Sequence, residues 1–172
     1  MTCTLSQTDR AALEAVFSGM QEAWNRADGD SFGTFFQEDA DFVNVYGMHG
    51  IGRHAISDAH KMIFRTVYAG SRMQCRIMQA RPISDRLALV HLSSRLEVPH
   101  GPLAGELRAA PSAVLEREGA NWKIVAFHNT FSRPRRPSTI TASADRYGLP
   151  TGEVAALTPG CAMLKVVCET RR

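Results

Sequence analysis

The chain of 172 residues lacks any apolar run approaching the roughly 18 residues that a membrane-spanning helix needs. Its N-terminal sequence, MTCTLSQTDR, lacks the basic stretch followed by an apolar core that marks a secretory signal peptide. We therefore expect a cytoplasmic protein that does not bind a membrane. The cysteines also lack the short spacing of metal sites, and we expect reduced, mostly structural thiols at Cys3, Cys75, Cys161 and Cys168.

Motifs for cofactor and nucleic-acid binding are absent as well. No GxGxxG follows a predicted strand, and no loop is rich enough in glycine to hold a phosphate, so we expect no cofactor. Residues 1–132 hold 13 Lys and Arg against 14 Asp and Glu, whereas residues 133–172 hold 7 against 3. Basic charge therefore belongs to the C-terminal segment, which argues against a nucleic-acid-binding core. The sequence RPRRP (133–137) is either a solvated linker or a contact for an anionic partner.

What the sequence does contain is the pattern of one soluble α+β domain, with 44% hydrophobic and 22% charged residues. Apolar residues at helical spacing predict a long first helix that begins with a capping box at Ser6 and Asp9 and ends at Gly29. Asp30 is expected to cap a short second helix, and a third helix is predicted over 53–67.

Strand patterns follow the first two helices and dominate after Gly70. They are predicted at 41–47, 71–81, 86–98, 105–118 and 121–132. Helices segregated from an antiparallel sheet predict a domain over residues 1–132 in which a curved sheet covers the first helix and leaves a pocket. Residues 133–172, rich in Pro, Gly, Ser and Thr, are predicted to be an irregular C-terminal extension.

Four segments carry a family resemblance: AWNRADGDSF, FFQEDADFVNVYG, GRHAISDAH and NWKIVAFHNTF. Together they resemble the nuclear transport factor 2-like superfamily of cone-shaped α+β proteins, which includes ketosteroid isomerases and SnoaL-type polyketide cyclases. DADFVNVYG and WKIVAFHNT are more narrowly similar to the SgcJ/EcaC-type group, members of which accompany enediyne antibiotic biosynthesis. The resemblance covers roughly residues 8–133 and implies a largely apolar cavity between the first helix and the concave face of the sheet.

The resemblance also tests the isomerase mechanism residue by residue. The isomerase tyrosine that donates to an oxyanion corresponds to Met20, the general-base aspartate to Asn44, and the protonated aspartic acid of the oxyanion hole to Ala113. An amide cannot accept a carbon-bound proton as a carboxylate does, and Met and Ala donate no hydrogen bond to an enolate. We therefore expect these positions to contact a ligand without performing that chemistry.

Three histidines are predicted to point into the cavity. His60 lies on the apolar stripe of the third helix, His91 alternates with Leu87 and Leu89, and His128 follows Trp122 and Ile124. Three roles are open for these histidines. Each could be a buried structural side chain or a general acid or base, or the three together could be the ligands of a metal. We carry His128, His91 and His60 as catalytic candidates, assign no metal, and expect His49, His54 and His100 to be exposed.

Further ligand contacts are expected from Asn44, Tyr46, Ser93, Arg95 and Trp24. Arg95 either binds an anionic group or reaches solvent, and Trp24 either stacks on a flat ligand or belongs to the core.

Two functions remain open at this point. The first is a pocket protein of secondary metabolism that binds a hydrophobic polyketide- or polyene-like compound and assists proton transfer or cyclisation. The alternative is a non-catalytic protein that shelters an intermediate or organises partner enzymes. Under both we expect a homodimer that forms through an apolar stripe on the outer face of the sheet, at Val90, Leu92, Val125, Phe127 and Phe131.

Overall fold

A computed structural model describes residues 4–132, and the predicted C-terminal extension at 133–172 lies outside the described residues. The helices are α1 (Gln7–Asn25), α2 (Gly29–Gly33) and α3 (Arg53–Arg65). The strands are β1 (Phe36–Val43), β2 (His49–Ile51), β3 (Arg72–Pro82), β4 (Leu87–Val98), β5 (Gly105–Ala109), β6 (Ser112–Glu118) and β7 (Asn121–His128).

The strands form one curved sheet in the order β2-β1-β7-β6-β4-β3, and β5 pairs with the far end of β4. Only the β1–β7 pair is parallel among the pairings within residues 4–132. The predicted α+β class, with a long N-terminal helix and an antiparallel-dominated curved sheet, is confirmed. None of the helices described is long and apolar enough to cross a membrane.

The predicted capping box fixes the start of α1. The Ser6 hydroxyl accepts a hydrogen bond from the Asp9 amide at 3.1 Å, and the Asp9 carboxylate accepts one from the Ser6 amide at 3.2 Å. Asp9 is buried and pairs with Arg117 of β6 at 2.5 Å. The Ser6 hydroxyl, together with Arg117, holds the pKa of Asp9 below its usual range. The carboxylate of the predicted capping box therefore also joins α1 to β6 through its ion pair with Arg117.

The predicted boundary between the first two helices was wrong by a few residues. α1 ends at Asn25, and Ala27 takes a left-handed conformation with φ of 56°. Asp28, rather than Asp30, caps α2 by accepting from the Ser31 amide at 2.9 Å. Gly29 is buried at the start of α2, where an added Cβ would lie 2.8 Å from the Ser57 carbonyl of α3. It therefore permits close packing of two helices and does not end one.

Side chains near the C-terminus of α1 form hydrogen bonds with the unpaired backbone edge of β3. The Asn25 side chain accepts from the Met73 amide at 2.7 Å and donates to the Met73 carbonyl at 3.0 Å. The Gln21 side-chain oxygen accepts from the Cys75 amide at 2.8 Å. An unpaired strand edge is a site for unwanted pairing with another chain, and these two side chains occupy it at Met73 and Cys75.

Three predicted strand boundaries also change. The first strand ends at Val43 because residues 44–47 form a turn, and the last ends at His128, beyond which Phe131 makes an isolated bridge to Ala109. The predicted strand at 105–118 is divided into β5 and β6 because Pro111 has no N–H to donate to a ladder.

The core lies between the helices and the concave face of the sheet. On β4 the residues that face it are Ala88, Val90 and Leu92, all at most 3% exposed. Phe127 of β7 is also buried, and Phe131 faces the same concave side. The prediction that Val90, Leu92, Phe127 and Phe131 form an apolar stripe on the outer face is therefore wrong.

Candidate functional site

A cavity of about 580 Å³ opens between the helices and the concave face of the sheet. Most of its lining is aliphatic or aromatic, and no Asp or Glu within residues 4–132 takes part in it. Its inner end is formed by buried residues of α1 and α3: Trp24, Ile56 and His60. Its mouth is formed by exposed residues of the β1–β2 turn and the β4–β5 region, among them Tyr46, Met48 and Arg108.

Trp24 contributes only its ring to the inner end. The indole N–H donates to the Ser71 hydroxyl at 3.0 Å, and both residues are buried. The ring makes an edge contact with Phe64 at 4.9 Å between centroids. Trp24 therefore belongs to the core and lines the cavity at once, and its polar atom is already occupied.

His60 is the most enclosed polar side chain on the cavity, at 4% exposure. Its Nδ1 lies 2.7 Å from the Ile56 carbonyl, one helical turn earlier on α3. The ring stacks on Phe32 at 4.0 Å and meets Phe42 edge-on at 5.4 Å. Burial among these rings lowers the pKa of His60 to about 4. The imidazole is consequently neutral near pH 7.

Asn44 and Tyr46 reach the cavity from a turn. The Asn44 side-chain oxygen accepts from the amides of Tyr46 and Met48 at 2.9 and 3.0 Å, which is an Asx-type turn. Tyr46 is 61% exposed and makes an edge contact with Phe131 at 5.6 Å. Asn44 and Tyr46 therefore line the mouth of the cavity, as part of the predicted ligand contacts, and the Asn44 side-chain oxygen holds the backbone of the β1–β2 turn.

Tyr68, which was not among the predicted site residues, lines the cavity just beyond α3. Burial, and after it the nearby Tyr46 phenol, raises the pKa of Tyr68 to about 12. The phenol therefore stays protonated near neutral pH. Tyr68 follows Phe64 by four residues, so extending the helical spacing past Val67 would have found it.

His49 also lines the mouth, although the sequence indicated only an exposed turn residue. The histidine is exposed as predicted, but it belongs to the short strand β2. Its Nε2 lies 2.6 Å from the Asp41 carboxylate on the neighbouring strand β1. A carboxylate in this position orients the imidazole ring. Nothing in the local pattern predicted the pair, because β2 itself was not predicted.

Three residues predicted to point into the cavity from β4 do not do so. His91, Ser93 and Arg95 lie on the outer face, where His91 Nδ1 is 2.9 Å from the Ser112 hydroxyl. Arg95 pairs with Glu97 at 2.8 Å and with Glu106 at 2.7 Å. The prediction chose Leu87 and Leu89 as the inward set, but the inward set is Ala88, Val90 and Leu92.

His128 is on the outer face as well, for a different reason. Trp122 and Ile124 face the core as predicted, but Val125 is an extra residue in the pairing with β6. Val114 pairs with Ala126 and Leu115 with Ile124, so the bulge reverses the alternation and turns Phe127 inward. His128 is left exposed, in register with Ser112.

Met20 and Ala113 are packed into the core at 3% and 1% exposure and do not line the cavity. With His91 and His128 on the outer face, the three-histidine metal arrangement cannot form. Within the described part of the chain, no cluster of His, Cys, Asp and Glu could hold a metal ion.

Cys75 of β3 is half-buried, and burial raises the pKa of its thiol to about 11. It does not line the cavity. Cys3, Cys161 and Cys168 lie outside the described residues.

Comparison with known proteins agrees with this architecture. The model of the SnoaL-like domain family matches residues 13–134. No curated protein matches the chain in sequence. A domain of unknown function with a cystatin-like fold from Nostoc punctiforme is 28% identical, with a TM-score of 0.67, over 76% of this chain and 82% of that one.

Two further structures extend the comparison. An uncharacterised protein with a cystatin-like fold from Caulobacter vibrioides is 25% identical over 73% of this chain and 90% of its own, with a TM-score of 0.65. A ketosteroid isomerase-like protein from Erwinia carotovora shares the fold at 15% identity, with a TM-score of 0.63, over 75% of this chain and all of its own.

Proposed function

The chain belongs to the SnoaL-like domain family, and from this premise we propose that it binds a hydrophobic small molecule in the cavity without transforming it. The ligand is a polyketide- or polyene-like compound of secondary metabolism, held in the cytoplasm for partner enzymes. We also propose that the protein is a member of the SgcJ/EcaC-type group with a role in antibiotic biosynthesis, because the motifs DADFVNVYG and WKIVAFHNT resemble that group.

The observation that carries this proposal is the cavity of about 580 Å³ with its mainly apolar lining. Small-molecule sites typically have volumes of about 300–1,000 Å³ and apolar walls with a few polar groups. Binding is favoured over catalysis because the described lining has no carboxylate, and because His91 and His128 lie on the other face of the sheet. No carboxylate in the described lining can take the part of the general-base aspartate that the isomerases carry at the position of Asn44.

A matched pair of tryptophan variants on α3 tests the cavity. Ala59 lines the cavity, whereas Met62 is 61% exposed on the same helix and does not. Ala59→Trp should weaken binding of a neutral hydrophobic dye such as Nile red by tenfold or more, because the indole fills ligand space. Met62→Trp should leave the affinity within about twofold. Fluorescence titration measures both, and equal affinities in the two variants would contradict binding in this cavity.

A second function, proton transfer at the mouth, is favoured by the His49–Asp41 contact of 2.6 Å. Here His49 would act as general base on a ligand whose reacting end faces the mouth. His49→Gln should then reduce turnover of the pathway intermediate by about 10² while ligand affinity changes only a few fold. Unchanged turnover would remove this candidate and leave binding alone.

We also propose a homodimer, with a different surface from the one that the sequence indicated. Leu89, Val114 and Ala126 are paired across β4, β6 and β7 on the outer face and are only half-buried. Val114→Glu should convert the dimer to a monomer in light scattering, because it places charge at the centre of this apolar row. A wild-type protein that is monomeric at high concentration would contradict the proposal.

A further inference from the structure

We propose that the inner end of the cavity selects a flat, uncharged ring system carrying a hydroxyl or N–H group, with Nε2 of His60 as the acceptor. This inference rests on the proposed binding function and deepens it, because it names the chemical class of the ligand's buried end. It also gives His60 a role in specificity in place of acid–base catalysis.

The tautomer of His60 follows from its own helix. The atom 2.7 Å from Nδ1 is the Ile56 carbonyl oxygen, which can only accept a hydrogen bond. Nδ1 therefore carries the proton of the neutral ring, and Nε2 carries a lone pair on the side away from the α3 backbone. No residue within 4–132 donates a hydrogen bond to Nε2. Among the described residues that are not exposed, Trp122 Nε1 is the only fully enclosed side-chain nitrogen or oxygen without a partner, so the unpartnered Nε2 of His60 is open to the cavity that His60 lines.

The surroundings of the ring keep it neutral. Four aromatic side chains contact the imidazole: Trp24, Phe32, Phe42 and Phe64. No carboxylate within the described residues lines the cavity to stabilise a protonated ring. The pKa of about 4 agrees with this geometry. His60 is therefore an acceptor, and not a cation, throughout the range near pH 7.

The other polar groups near the inner end carry a donor, whereas Nε2 of His60 can only accept. The Trp24 indole N–H is already bonded to Ser71 at 3.0 Å. Tyr68, whose pKa is raised to about 12, remains a phenol that can donate as well as accept. A ligand donor that reaches the buried end of the cavity therefore meets, beside the rings of Trp24 and Phe42, a nitrogen that can only accept.

Selectivity follows from the cost of leaving this acceptor unpaired. A ligand with a hydroxyl satisfies Nε2, whereas a hydrocarbon of the same shape displaces water from Nε2 and supplies no donor. A carboxylate is disfavoured more strongly, because it would bury a negative charge against a lone pair. Three probes of one ring system separate these cases: 2-naphthol, naphthalene and 2-naphthoate.

Equilibrium binding at pH 7 is measured for the three probes with the full-length protein. We expect 2-naphthol to bind about tenfold more tightly than naphthalene, and 2-naphthoate to bind more weakly than either. His60→Phe keeps an aromatic ring and removes the acceptor, so the preference for 2-naphthol should fall to about twofold or less while naphthalene affinity is retained. His91→Phe makes the same substitution on the outer face of the sheet, away from the cavity, and as the matched control should keep the preference.

Wild-type protein gives a second readout that needs no variant. In a ¹⁵N NMR spectrum the unprotonated nitrogen of His60 should shift when 2-naphthol binds and stay in place with naphthalene. Equal affinities for naphthol and naphthalene, or a preference that survives in His60→Phe, would overturn the inference and leave the binding function intact. Failure of all three probes to bind would overturn the binding function and the inference with it.

Discussion

Histidines lie on both sides of the sheet, buried on the concave side and exposed on the outer side. His60 faces the concave side, among aromatic rings, at 4% exposure and with a pKa lowered to about 4. His91 and His128 are exposed on the outer face, where both are in register with Ser112. A one-residue change of register moves a strand side chain from one circumstance to the other. Which face a histidine occupies therefore decides what chemistry is open to it.

The largest difference between the faces should appear in stability, at two neighbouring residues of β6. Leu115 is fully buried on the concave side, and Val114 is half-buried on the outer side. Leu115→Ala should lower the free energy of unfolding by about 3 kcal/mol, through lost burial and a cavity. Val114→Ala should lower it by less than about 1 kcal/mol. Urea denaturation measures both, and equal losses would mean that the two faces are assigned wrongly.

A smaller effect is expected when pH is lowered, because His60 binds a proton more readily in the unfolded chain. Its pKa is about 4 in the folded protein against 6.5 in the unfolded one. The contribution of neutral His60 to the free energy of unfolding is therefore complete above pH 6.5 and is lost as the pH falls toward 4. By pH 4.5 the free energy of unfolding should have fallen by about 2–3 kcal/mol from this group.

The control for this pH effect is His60→Phe, which has no imidazole to titrate at that position. Its unfolding free energy should change much less between pH 7 and pH 4.5 than that of the wild type. Asp9 and Asp28, whose pKa values are lowered from 3.8, lose their contributions at lower pH in both proteins. Parallel pH profiles for the two proteins would show that His60 is not held neutral by burial.

The smallest effects are expected on the outer face. His91→Ala and His128→Ala remove exposed side chains, so each should change the free energy of unfolding by no more than about 0.5 kcal/mol. Each should also leave the affinity for a hydrophobic dye within about twofold, because neither residue lines the cavity. A tenfold loss of affinity in either variant would place the ligand on the outer face.

The pattern of successes and errors in the sequence predictions has a physical cause. The helical features that depend on neighbours within one turn were well predicted, as in the Ser6–Asp9 capping box and the buried stripe of Ile56, His60 and Phe64. The boundary between α1 and α2 was not, because Gly29 is placed by its packing against α3. The curved sheet and its helices followed from the order of these elements.

Strand faces were less predictable. β4 has apolar residues at consecutive positions from Leu87 to Val90, so alternation could not decide which set faces the core. The bulge at Val125 depends on pairing with β6 and leaves no local signal. The His49–Asp41 pair required a strand too short to be predicted. Tertiary pairing, and not local preference, fixed each of these positions.

The most direct test of the account is a map of where 2-naphthol binds, made by NMR titration of uniformly ¹⁵N-labelled protein. The account predicts that shifts are largest at the Trp24 indole, the Phe42 amide and the His60 ring, which surround the inner end of the cavity. Shifts concentrated instead at His91, Ser112 and His128 would place binding on the outer face and contradict the account.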